Sequence, residues 1–249
     1  MTRSTRRLCL LHLPANALLL WLGYEWLGVG EPSLARLALS FADALIILAL
    51  VCWLYGATFA YFRAPGSATV NDAFRTALRT LPALLLAAIA ILVIYRLLAL
   101  WEGYSAKPAF QLASYLTLKF RKPVQPAAVS RVFATALWLV RWVLLPAALL
   151  PLISGVSARG WHGLGEFGWR RRSRLYRLEA PLLLVCGLWA PFRLLAWVPR
   201  VNGFGMEMLS FLLRLSAAYL LFVAASLLLA FLTSRGSPAL SQLKTAPSP

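Results

Sequence analysis

The sequence predicts an all-α, polytopic integral membrane protein of six transmembrane helices with interfacial amphipathic segments. Three observations carry that prediction. Hydrophobic residues fill 61% of the 249 positions and charged residues 13%, where an ordinary soluble domain has roughly 45–50% and about 25%. The apolar residues are gathered into six runs, each close to the 20 or so residues that a bilayer crossing needs. The mean hydropathy of +0.73 is more than a single soluble core of this size can hide, whereas a bilayer solvates the apolar surface directly.

The six runs are Leu8–Val29, Leu37–Tyr61, Leu81–Trp101, Val132–Ile153, Ala180–Val198 and Met208–Leu232, forming one bundle over residues 1–233. The first carries His12, Pro14, Asn16 and Glu25, so a kink or a late start is expected. Its basic beginning, the Arg6-Arg7 pair and Ala15-Asn16-Ala17 imitate a cleavable leader. The apolar stretch before that site is shorter than the 7–15 residues a leader uses, so a retained helix is expected. The second, third and sixth runs are the clearest. The fourth has Arg141 near its middle, and the fifth contains Pro191 and Arg193.

Two connections are long. Lys107–Phe120 mixes apolar and basic residues before a Pro-punctuated turn, as an interfacial amphipathic helix does; a seventh span there would bring the charge balance between the two sides close to parity. In Ser154–Glu179, Trp161 and Trp169 stand beside Arg170, Arg171, Arg172 and Arg174, the composition of a segment contacting lipid headgroups. Residues 234–249, rich in Ser and Pro, are expected to be a disordered cytoplasmic tail.

The formal net charge is +17, which in a soluble chain would point to nucleic acid. Here the basic residues lie mainly between apolar runs, so anionic headgroups are the expected partner and nucleic acid is not. With six spans, one side collects about 14 Lys and Arg and the other about 7. Both termini are then expected in the cytoplasm of a bacterial cell, with the chain multi-pass in its inner membrane.

Ionisable residues inside a span are the default candidates for function. Glu25, Asp43, Arg96, Arg141, Arg193 and Arg214 qualify. Helical rise places Asp43 and Arg214 about 9 Å from the outer ends of their runs, Arg96 and Arg193 about 8 Å, and Arg141 about 14 Å. Glu25 is nearer the edge. All six fall in one half of the bilayer, which suggests a net-positive cavity for a phosphate-bearing lipid or a carboxylate, with Asp43 and Arg141 paired. The competing reading has Arg96, Arg193 and Arg214 reaching out to the nearby interface.

Other signals are weaker. Gly163-Leu164-Gly165-Glu166-Phe167-Gly168 matches a dinucleotide fingerprint in letters but follows no strand. His162 and Glu166 are too few for a metal site, and His12 reads as an interfacial residue. Cys9, Cys52 and Cys186 form no redox or zinc pattern. No P-loop, HExxH or GxSxG occurs. Neither a cofactor nor a metal is expected. Phe62-Arg63-Ala64-Pro65 recurs as Phe120-Arg121-Lys122-Pro123, an echo that reads either as chance similarity between apolar stretches, the favoured reading, or as an inverted repeat. Ala83, Ala87, Ala88 and Ala90, or Ser216, Ala217 and Ala218, are small enough for close helix contact, within the chain or between copies.

The resulting expectation is a non-catalytic membrane component that binds partner membrane proteins, a second copy of itself or anionic lipid. The alternative is a transporter or channel for an anionic solute or lipid that uses the intramembrane arginines. A lipid-acting enzyme would have only Glu25, Asp43 and His12 to draw on.

Overall fold

A computed structural model describes residues 3–29, 33–64, 69–104, 106–166, 174–199 and 203–235. Helices take up nearly all of them, with no strand among them. The helices are α1 (Arg3–Leu27), α2 (Leu34–Arg63), α3 (Val70–Tyr104), α4 (Ala106–Phe120), α5 (Pro126–Leu139), α6 (Leu145–Arg159), α7 (Arg174–Ala196) and α8 (Phe204–Arg235). A π-helical turn, Val140–Leu144, joins α5 to α6, and a 3-10 turn, Gly160–Glu166, follows α6. Counting α5 through α6 as one rod, six helices among the described residues are long and apolar enough to cross a membrane. They match the six apolar runs one for one.

The helices overrun those runs because backbone hydrogen bonding continues wherever an end is capped. Thus α3 begins at Val70 rather than Leu81, behind a capping box that the sequence reading passed over. The Thr69 hydroxyl accepts from the Asp72 amide at 3.2 Å, and the Asp72 carboxylate accepts from the Thr69 amide at 3.2 Å and its hydroxyl at 2.7 Å. Asp72 thus supplies the reciprocal half of that box. The α1 helix is continuous through Pro14 and starts at Arg3. With 15 residues, α4 is about 22 Å long, short of the 30 Å hydrocarbon core. It lays Ala109 and Ala113 on Val129 of α5 and leaves Phe110, Tyr115 and Lys119 exposed. Both copies of the Phe-Arg motif end a helix, but a long one in α2 and a short one in α4; Pro65 lies outside the described residues.

Packing is uneven along the bundle. In α2 the buried residues are Ser40 and then Leu54 with Gly56–Tyr61; in α3 they run from Ala73 to Ala87, and in α6 from Ala147 to Ser157. Those of α8 begin only at Ala218 and end at Ser234. Short connections place all these segments at the end of the bundle that holds Arg3, Arg63 and Arg159. This is the closed half. In the other half, α3 from Ala88 to Trp101 and α8 from Phe204 to Ala217 have no buried residue. That half is open.

Small residues explain the closure. A Cβ on Gly187 of α7 would lie 2.5 Å from the Ala225 Cβ of α8, and one on Gly56 of α2 would lie 2.7 Å from Leu84 Cδ1 of α3. Ala83 and Ala87 face this core, as does Ala218, whereas Ala90, Ser216 and Ala217 are exposed. Gly163 comes so close to the Gly155 backbone that a Cβ would sit 2.3 Å from it, so its place in the nucleotide-like motif is explained by packing of the 3-10 turn on α6. Polar side chains lock the helices together. Arg63 Nη1 donates to the Ser154 carbonyl at 3.0 Å, Trp53 Nε1 to the Phe74 carbonyl at 3.1 Å, and the Tyr176 hydroxyl to the Ala147 carbonyl at 2.9 Å. The last satisfies a carbonyl that Pro151, lacking an N–H, leaves vacant.

Candidate functional site

The six ionisable residues singled out by depth all lie toward the open half, one each on α1, α2, α3, the π-helical turn, α7 and α8. Among the described residues, no hydrogen bond or ion pair joins any two of them; Asp43 and Arg141 do not meet. Asp43 is half-buried on α2, while Glu25 and Arg96 are exposed. Arg214 Nε donates to the Ser210 carbonyl at 3.2 Å, and its Nη1 donates to the carbonyls of Leu195 and Trp197. It thereby caps the end of α7, where unsatisfied carbonyls and the helix dipole favour a cation.

Arg141 sits on the π-helical turn, whose origin lies five residues on. Pro146 has no N–H for the Trp142 carbonyl, and its ring would collide with that carbonyl in a regular helix. The backbone widens instead, and the Leu145 amide bonds to the Val140 carbonyl. Such widened turns are frequent at functional sites. The Tyr95 hydroxyl of α3 donates to the Arg141 carbonyl at 2.9 Å, and the Arg141 guanidinium lies 5.3 Å from the Trp142 ring centroid.

Arg193 lies 5.6 Å from the ring centroid of Trp189, one turn earlier on α7. Arg193, Trp189 and Phe192 face Trp142, Trp138 and Thr135 across a groove of about 820 Å³ between α5, the π-turn and α7. Two tryptophans of this groove, one on each wall, are thus stacked by an arginine. Such a groove offers an apolar bed beside a bidentate cationic donor, a combination that accepts an amphiphile with an anionic head. A second cleft of about 820 Å³ opens between α1, α2 and α3, and a half-enclosed cavity of about 370 Å³ lies between α2, α3, α6 and α8.

Beside that cavity the structure holds a polar network that the sequence reading missed. His12, placed at an interface by the sequence, is fully buried. The correction follows from the helix starting at Arg3, which carries residue 12 about 14 Å along the axis. The Thr58 hydroxyl donates to the Leu54 carbonyl at 2.8 Å, so its oxygen accepts from His12 Nε2–H at 2.7 Å. Asn16 Nδ2 donates to His12 Nδ1 at 3.0 Å and to the His12 carbonyl at 2.9 Å, and its Oδ1 accepts from the Tyr55 hydroxyl at 2.7 Å. The Tyr219 hydroxyl of α8 donates to the Leu13 carbonyl alongside. Each donor fixes the next, and the network assigns the neutral Nε2–H tautomer of the imidazole.

Of the residues expected at headgroups, Trp161 is exposed on the 3-10 turn at the closed end. Trp169, Arg170, Arg171 and Arg172 lie outside the described residues, as do the side chain of Arg174 and residues 236–249. Among the described residues, no three His, Cys, Asp or Glu side chains gather as a metal site would require.

Fold and site together define a class, an all-helical chain with six helices able to cross a membrane and an open half bordered by arginines. Comparison of the chain with models of known protein families, with curated proteins and with solved structures finds no match.

Proposed function

We propose that this chain is a multi-pass protein of a bacterial inner membrane, with both termini cytoplasmic, and that it holds an anionic amphiphile in its open half without chemically altering it. The amphiphile is a membrane lipid bearing a phosphate or carboxylate. One observation carries the reading: the two larger clefts, each about 820 Å³, lie in the half of the bundle that holds the membrane-depth arginines, while the cavity that reaches the other half is smaller, about 370 Å³. Arginine in an apolar setting retains its charge and seeks an anion, and a lipid supplies the anion with a tail to cover the apolar wall. The α5–α7 groove has both parts, with Arg193 for the head and Trp138, Trp142, Trp189 and Phe192 for the tail. A transport path has less support than a binding site, since Ala83, Leu84 and Val156 pack together between α3 and α6 in the closed half.

The reading is tested by photo-crosslinking the full chain in nanodiscs with a diazirine-tailed phosphatidic acid, then mapping adducts by mass spectrometry. Adducts concentrated on Trp138, Trp142, Trp189 and Phe192 are expected, with competition by unlabelled phosphatidic acid but not by phosphatidylcholine. Labelling spread evenly over every lipid-facing helix, or equal competition by both lipids, overturns it.

A further inference from the structure

One wall of the groove between α5 and α7 is not held there by its own packing. Val129 is the one buried residue of α5, and it packs on Ala109 and Ala113 of α4 rather than on α7. Thr135 and Trp138 of α5 nevertheless line the groove, together with Trp142 of the π-helical turn. The turn itself packs on α7. The direction in which the α5 wall faces is therefore inherited from the turn.

Two residues outside the groove hold that turn open. Pro146 sets its register: the Leu145 amide, which in a regular helix would serve the Arg141 carbonyl, bonds to the Val140 carbonyl instead. The next amide in the widened register would belong to Pro146, which has none. The Arg141 carbonyl is served from another helix, by the Tyr95 hydroxyl of α3 at 2.9 Å. A carbonyl left bare in hydrocarbon is costly, and in a regular helix the Leu145 amide would already satisfy this one. The Tyr95 bond thus stabilises the widened turn and not the regular one. Its ring lies beside that of Trp142, with centroids 6.0 Å apart. Neither Tyr95 nor Pro146 lines the groove.

A widened turn uses one residue more than a regular one, and each residue turns a helix by about 100°. In a regular helix running back from α6, Ala136 and Leu139 would stand where Thr135 and Trp138 now line the groove. Arg193 and Trp189 would then face an aliphatic wall. We infer that Tyr95 and Pro146 are positioning residues of the amphiphile site, which turn Trp138 and Trp142 toward Arg193 and Trp189 through the π-helical turn. The inference rests on the anionic-amphiphile reading for what the groove holds, and on the turn alone for its geometry.

Pro146→Ala restores the missing amide and lets the helix run regularly, while Tyr95→Phe removes the hydroxyl and keeps the ring. Each is placed in a Cys9→Ala, Cys52→Ala, Cys186→Ala chain that also carries Ala134→Cys and Leu188→Cys, two positions lining the groove from α5 and α7. In phosphatidylcholine nanodiscs a bifunctional methanethiosulfonate should link the two cysteines in the parent chain, and at least fivefold less in either variant. Without the added cysteines, retention of phosphatidic acid over phosphatidylcholine in native mass spectra should fall from at least tenfold to below twofold in either variant. Pro146→Ala should nonetheless unfold at the same SDS fraction as the wild-type chain or at a higher one, whereas damaged packing would lower it. Unchanged linking in Pro146→Ala overturns the inference, as does lost linking with the lipid preference intact. Unchanged linking in Tyr95→Phe alone overturns the assignment of Tyr95. Unfolding at a lower SDS fraction in both variants assigns the losses to a damaged fold and overturns the inference. Lost linking in both variants, with no lipid preference in the wild-type chain, upholds the positioning and removes the anionic reading.

Discussion

Replacing Asn16 with leucine should destabilise the bundle more than replacing Thr58 with valine, although Asn16 and Thr58 are neighbours in the same network. Thr58→Val strands one buried donor, His12 Nε2–H, at a cost of about 1–3 kcal/mol. Asn16→Leu strands the buried His12 Nδ1 and also takes a partner from the half-buried Tyr55 hydroxyl, so its cost is that of one stranded group, about 1–3 kcal/mol, and part of a second. Hydrogen bonds between membrane helices often average nearer 0.6 kcal/mol, which favours the lower end of each range. Removing the whole set of partners should be cheaper than removing one of them. In the triple substitution His12→Leu, Asn16→Leu, Tyr55→Phe no polar group of the three remains to be stranded, and exchanging both partners of a buried bond for apolar groups is nearly neutral. The loss of the edge contact between His12 and Tyr55, whose rings are 5.6 Å apart, adds about 0.5–1.5 kcal/mol. Stability is read from tryptophan fluorescence during titration of detergent-solubilised protein with SDS. The reasoning is refuted if the triple variant is as unstable as the sum of its parts, or if Asn16→Leu costs less than about 0.5 kcal/mol.

Three further substitutions test the fold. Gly187→Val should part α7 from α8 and lower stability by more than about 2 kcal/mol in the same titration, because the Cβ would lie 2.5 Å from the Ala225 Cβ. Ser154→Ala should leave stability unchanged or raise it by about 1 kcal/mol, since the Ser154 hydroxyl is buried without a hydrogen-bond partner among the described residues; a loss above 1 kcal/mol would count against that assignment. Arg121 has φ of 52°, so Arg121→Gly should relieve about 1 kcal/mol of backbone strain at the α4–α5 turn, seen as slower amide exchange across Val124–Val129; faster exchange would contradict it.

The six long apolar helices were legible in the sequence because apolarity over a window of about 20 residues is a local property that announces itself without tertiary information. The short length of α4 was legible for the same reason. What escaped was everything that depends on which helices meet. His12 and Thr58 are 46 positions apart, and the partners they have within their own helices, Asn16 and the Leu54 carbonyl, do not mark the pair. The antiparallel approach of α1 and α2 creates the network. Helical rise put Arg141 and the other five residues toward one end of their helices, but position along an axis says nothing of azimuth, and so nothing of which side chains meet. The role of Arg214 as a cap required the end of α7 at Ala196, a boundary blurred in the sequence by the apolar Trp197 and Val198. One signal was present and unused. The run Gly56-Ala57-Thr58 in α2, opposite Ala73 and Ala77 in α3, is a small-residue pattern that marks where helices close, and hence which half stays open.

The central claim is that the open half prefers an anionic amphiphile, and competitive native mass spectrometry addresses it most directly. The full chain is released from nanodiscs containing phosphatidic acid and phosphatidylcholine in equal amounts, alongside Arg193→Leu. An arginine–phosphate contact contributes about 1.5–3 kcal/mol, so the wild-type chain should retain the acid at least tenfold over the zwitterion, and Arg193→Leu should remove most of that preference. Equal retention of the two lipids by the wild-type chain, or a preference unchanged by Arg193→Leu, would contradict the account.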